Sequence, residues 1–162
     1  MACRLRHQGN RYRLGGIAMI RQRFTIPRIG WCVHVFYAVD ALDTGVIERQ
    51  LRAIGCENTE RVCRGIGEPN SGVTYTNTAN RASVVVVGLT TSTDEFANTY
   101  DHEKGHLVRH ISQHLGLEPY GEQEQYIAGY ISQQMFSVAK SFLCEHCRQN
   151  NNALANFIRV FL

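Results

Sequence analysis

Apolar and polar positions change period several times along the chain, and each change marks an element. From Trp31 to Val39, β-branched and aromatic residues partly alternate with others, which predicts a strand. Val46, Ile47, Leu51 and Ile54 then fall at helical spacing. Asp43 or Thr44 can cap that helix, and Gly55 sits where its end belongs. Residues 57–71 carry Gly65, Gly67, Pro69 and Asn70 and read as a loop. Two further strands follow over 72–76 and 82–89, joined as a hairpin by Asn77-Thr78-Ala79-Asn80. The second, around Val84-Val85-Val86-Val87, is apolar on both faces, as a strand beneath a helix layer should be. At the rim of the sheet its edge would pair with an extended peptide; in the middle it would only support the helices.

Ser92-x-x-Glu95 fits a capping box opening a long helix over residues 95–115, with Gly116 beyond it. Its apolar line is Phe96, Tyr100, Leu107, Ile111 and Leu115. Pro119-Tyr120-Gly121 makes a turn. A last long helix runs over 122–143, with Ile127, Tyr130, Ile131, Met135, Val138, Ala139 and Phe142 inward. Residues 149–152 read as a polar connector and 153–162 as a short apolar closing segment. The order β-α-β-β-α-α predicts an α+β fold: a small, mainly antiparallel sheet with a short helix, then two long helices packed on one side.

With 162 residues, 44% hydrophobic and 19% charged, the chain fits one compact domain. No run approaches the ~20 apolar residues that span a bilayer, so no membrane partner is expected. The net charge of +3 is unevenly spread. Residues 1–28 hold Arg4, Arg6, Arg11, Arg13, Arg21, Arg23 and Arg28 and no acid, which reads as a poorly ordered basic arm before a domain over 29–162. Met19 opens a plausible start, which would make residues 1–18 an upstream extension. The cysteines (Cys3, Cys32, Cys56, Cys63, Cys144 and Cys147) read as mostly reduced thiols of a cytoplasmic protein. Cys144-x-x-Cys147 lacks a second ligand pair at finger spacing and reads as two ordinary cysteines near a helix end.

The candidate chemistry lies in His102-Glu103-Lys104-Gly105-His106, an H-E-x-x-H on the first long helix. Positions i and i+4 share a helix face, so both imidazoles can reach one zinc ion. At about 100° per residue, His106 falls about 100° and His102 about 140° to one side of Leu107, with Glu103 between them and the apolar stripe. The pair therefore flanks the buried stripe and faces a lateral cleft. Zinc there would lower the pKa of bound water, Glu103 would take its proton, and the reaction class would be hydrolysis of a peptide bond. His114, Tyr126 and Tyr130 are candidates for steadying the oxyanion or the substrate.

A third ligand must come from elsewhere. Glu122 and Glu124 open the next helix, and helical phase favours Glu124, which points with Ile127, Ala128 and Ile131. The chain resembles gluzincin-like metallopeptidases, in particular the small compact domains found in bacteria, phages and mobile elements. The resemblance rests on His102-Glu103-x-x-His106 and on Gly121-Glu122-Gln123-Glu124-Gln125-Tyr126-Ile127-Ala128-Gly129, and covers residues 74–147. It implies a zincin-like fold, a zinc cofactor, a peptide or protein substrate, and Glu122 as third ligand. The chain departs from that pattern at Lys104 and at Gln125. Phase and resemblance thus point to different glutamates. The alternative reading is a non-catalytic regulatory or nucleic-acid-binding accessory protein that uses the Arg-rich N-terminus.

Overall fold

The computed structural model describes residues 18–144, 146 and 147; the residues at 1–17 and the segments 149–152 and 153–162 lie outside the described residues. Among the described residues, four strands form one sheet: β1 (Ile20–Ile26), β2 (Trp31–Val39), β3 (Gly72–Asn77) and β4 (Ala82–Gly88), in spatial order β1-β2-β4-β3. β1 runs antiparallel to β2, and β3 to β4, while β2 and β4 pair in parallel at the centre. Helices α1 (Thr44–Ala53) and α2 (Thr59–Cys63) fill the connection from β2 to β3. The long helices α3 (Thr93–Leu115) and α4 (Glu122–Ala139) follow the last strand. The architecture is α+β.

Strand β1 places residues 20–26, read as part of a poorly ordered basic arm, in the sheet, while residues 1–17 of that arm lie outside the described residues. Phe24 and Ile26 are buried while Arg21, Arg23 and Thr25 are exposed, the alternation of a half-buried strand. The arginines dominate the composition but share one face. Strand β4 is also placed differently from one of its two expectations. It lies between β2 and β3 and is buried throughout, so both its edges are paired. Among the described strands, β1 and β3 lie at the two ends of the order. The turns at Thr59–Cys63, read as loop, form α2, where Asn58 Oδ1 caps Arg61 N at 3.0 Å. So short a helix shows no period in the sequence.

The sheet separates two cores. Val33, Val35, Tyr37, Val85 and Val87 meet Phe96, Leu107 and Ile111 of α3 and Ile131 and Met135 of α4. On the other face Phe36, Val39, Val84 and Val86 meet Ile47, Leu51 and Ile54 at α1. Both long helices therefore cover one face, as the pattern predicts, and the short α1 covers the other. A bulge between Tyr37 and Val39, with Ala38 at φ 55°, shifts β2 out of phase. It sends Ala38 to the α3–α4 core and Val39 to the α1 core, which explains the partial alternation in the sequence.

α3 starts and stops where the sequence places it. Ser92 Oγ accepts from Glu95 N at 3.1 Å, and Gly116 at φ 64° ends the helix in the left-handed region. α4 ends at Ala139 and not at residue 143. The chain there folds into turns that stack Phe142 on Phe96 and Tyr37, at ring centroid distances of 4.9 and 6.1 Å. Among the described residues, no helix is long and apolar enough to cross a membrane.

Candidate metal centre

α3 has two working flanks. One carries Tyr100, Asp101 and Lys104 and forms a groove with Ser132, Gln133 and Phe136 of α4. The other carries the histidines and lies over β3, whose Gly72, Thr74 and Thr76 face the helix. This division follows from phase, since Lys104 and His106 are about 160° apart on the helix. Lys104 is tied to Asp101 at 2.7 Å and sits 5.0 Å over the Tyr100 ring. Its charge is thus held on the α4 side, away from the imidazoles.

His102 and His106 converge. Their Nε2 atoms are 3.0 Å apart and their ring planes stand at 82° with centroids 4.6 Å apart. Both side chains are exposed on the same flank. Zinc bonded to two nitrogens at about 2.0–2.1 Å in tetrahedral geometry would hold them about 3.3 Å apart. At 3.0 Å the two nitrogens are within hydrogen-bond distance of each other, close to the separation that a shared ion would impose.

Glu103 lies beside them but under β3, only 5% exposed. Thr74 Oγ1 donates to Glu103 Oε2 at 2.7 Å and lies 3.0 Å from the Glu103 carbonyl oxygen. A buried carboxylate is costly and needs such partners. The backbone of Gly72 closes the pocket: a Cβ there would stand 2.6 Å from Glu103 Cγ and 2.8 Å from Oε1. Gly72→Ala should therefore push the carboxylate off Thr74 and destabilise the fold by about 1–3 kcal/mol, read from urea unfolding. A wild-type midpoint would show that Glu103 is not packed against the strand. Gly72 and Thr74 were absent from the candidates read in sequence. The available signal was the small and hydroxylated face Gly72, Thr74, Thr76 on a strand next to the motif helix.

The row continues down the helix. His106 and His110 have ring centroids 5.9 Å apart. His110 Nδ1 is 3.2 Å from Thr76 Oγ1, which is 2.9 Å from Ser83 Oγ, which accepts from Trp31 Nε1 at 2.9 Å. This hydrogen-bonded file fixes the His110 ring from inside the core. Burial, then His106 and Arg109, hold the His110 imidazole below its ordinary pKa. His114 meets the Trp31 ring edge-on at 5.4 Å and, with His110, Gln113, Thr74 and Thr76, lines a cleft of about 460 Å³. His114 is thus two helical turns from His106 and serves the cleft and the Trp31 packing.

The structure does not bring the predicted third ligands to the histidines. Glu124 Oε2 accepts from Tyr120 N at 2.6 Å, closing the turn before α4, and Glu122 is exposed. Both lie on α4, which packs on the flank of α3 opposite the histidines. At about 1.5 Å per residue, the antiparallel pair leaves Glu122 roughly 12 Å beyond His106 along the helix axes. The short connection at 116–121 is the cause, because it sets the start of α4 level with the end of α3. The same displacement removes the two tyrosines. Tyr126 is 74% exposed, and Tyr130 donates to the Thr25 carbonyl at 3.1 Å with its ring against Phe24. Among the described residues, no group of three His, Cys, Asp or Glu side chains is arranged around one ion. What they build is a two-imidazole pair on one flank of α3, with the neighbouring Glu103 buried against β3. No protein-family model, curated protein or solved structure matches the chain.

Proposed function

We propose that the chain is a metal-dependent hydrolase of peptide bonds, with His102 and His106 holding zinc and Glu103 moving the proton. The convergence of the two Nε2 atoms at 3.0 Å carries this reading. Zinc held there supplies a Lewis acid and lowers the pKa of its water toward neutrality. The protein's own part is orientation and proton transfer. Thr74 fixes one Glu103 oxygen and leaves Oε1, beside Gly72, to accept a proton and return it to the leaving amine. Two protein ligands bind an ion less tightly than three, so affinity should be lower than in a His-His-Glu centre. The buried, unbridged Cys56 and Cys63 suit a reducing compartment, and we place the protein in the cytoplasm. The accessory nucleic-acid reading gains nothing from the described arginines of β1. Arg21 is held by Gln50 and lies over Phe36, and Arg23 bonds to Cys32.

Metal analysis of the purified chain tests the site. We expect about one zinc equivalent in the wild type, lost in His102→Ala and in His106→Ala, and retained in Glu122→Ala and Glu124→Ala. Full occupancy in His102→Ala ends the reading; loss in Glu122→Ala alone restores the three-ligand centre.

A further inference from the structure

On the opposite face of the sheet from the histidines, β1 and β2 gather a second reactive cluster. Cys32 and His34 lie two residues apart on β2, on the face that carries Phe36, and Arg23 of β1 stands directly opposite His34 in the register. Cys32 Sγ is 3.4 Å from His34 Nε2 and accepts from Arg23 Nε at 3.3 Å. Cys32 and His34 are half-buried and Arg23 is exposed. Most of the core beneath α1 lies further along the strand, from Phe36 onward, and Cys32 and His34 stand half-buried at its margin, beside the buried Ala82 and Val84. We propose that Cys32 is a nucleophilic thiol, with His34 as its base and Arg23 as the anchor for an anionic electrophile, and that it exchanges with small anionic disulfides of the glutathione type.

A nucleophile within hydrogen-bond reach of a base is the pairing that activates side-chain nucleophiles. Burial first, then Arg23 and Arg21, holds the His34 imidazole below its ordinary pKa, so it is neutral near pH 7 and able to take a proton. The groups around it are Arg21 and Arg23 from β1, Gln50 of α1 through Arg21, and the apolar Ala82 and Val84 opposite Cys32 and His34 on β4. In the step itself, His34 Nε2 takes the thiol proton as Sγ attacks one sulfur of the disulfide. The disulfide bond breaks, its second sulfur leaves with both electrons, and it recovers the proton from His34. One thiol and one disulfide thus give one mixed disulfide and one thiol, with no other oxidant. The guanidinium of Arg23 faces the carboxylates of the incoming molecule.

The test is peptide-mapped mass spectrometry of the full chain incubated with oxidised glutathione (anionic) or hydroxyethyl disulfide (neutral). Cys32 should acquire the adduct well before the buried Cys56 and Cys63, whose protection also reports that each variant is folded. His34→Gln should slow both reagents about tenfold or more at pH 7. Arg23→Gln should slow oxidised glutathione about two- to fivefold, spare the neutral reagent, and remove the salt dependence of the former. A Cys32 rate unchanged in His34→Gln, or no faster than that of Cys56, overturns the proposal. An equal effect of Arg23→Gln on both reagents overturns the anionic specificity.

Discussion

Glu103→Gln should lower peptide hydrolysis about 10²- to 10⁴-fold while leaving the metal content unchanged. That range corresponds to about 3–5 kcal/mol of barrier. Glutamine keeps the length and volume of Glu103, so Gly72 can still close over it, and its amide oxygen can still accept from Thr74. Only the ability to take a proton is removed. Rate and zinc stoichiometry must therefore be measured on the same preparation. Parallel loss of both would mean that the substitution disturbed the histidine pair. A wild-type rate with full metal would leave Glu103 a purely structural carboxylate and withdraw its catalytic role.

Trp31→Ala should destabilise the fold by about 3–5 kcal/mol, a shift read from the urea midpoint at constant slope. Trp31 is fully buried at the start of β2 and packs between the sheet and the C-terminal half of α3. Truncation leaves a cavity of indole size and removes the donor to Ser83. Trp31→Phe separates the two contributions. It keeps most of the volume and loses only the hydrogen bond, for about 1 kcal/mol, because Ser83 still has Thr76 as partner. If Trp31→Phe costs as much as Trp31→Ala, the hydrogen-bonded file and not the packing dominates at this position.

The long-period features were legible in the sequence, and the reasons are physical. α3 shows a capping serine, a left-handed glycine and an apolar stripe, each of which constrains the backbone locally. The flank on which His102 and His106 emerge follows from the same phase. Strand β2 was readable because its residues are β-branched and aromatic. β1 was not, because three outward residues, two of them arginines, conceal an inward alternation of half its length. The positions of Glu122 and Glu124 away from the histidines were not legible for a different reason. Helical phase fixes which way Glu124 points on its own helix, but not which flank of α3 receives α4. That is decided by the pairing of Tyr100 and Lys104 with Ser132, Gln133 and Phe136, a long-range fit that no local pattern carries. The seat of Glu103 was hidden likewise, since it needs β3 at the sheet's edge and α3 across it.

The indole at the inner end of the His110–Thr76–Ser83 file is the chain's only tryptophan. Optically the molecule therefore has a single strong emitter, placed in a dry environment and touching the last imidazole of the row. Any change in its fluorescence colour or yield comes from one known spot. Unfolding can thus be followed by light from the native chain, without a label.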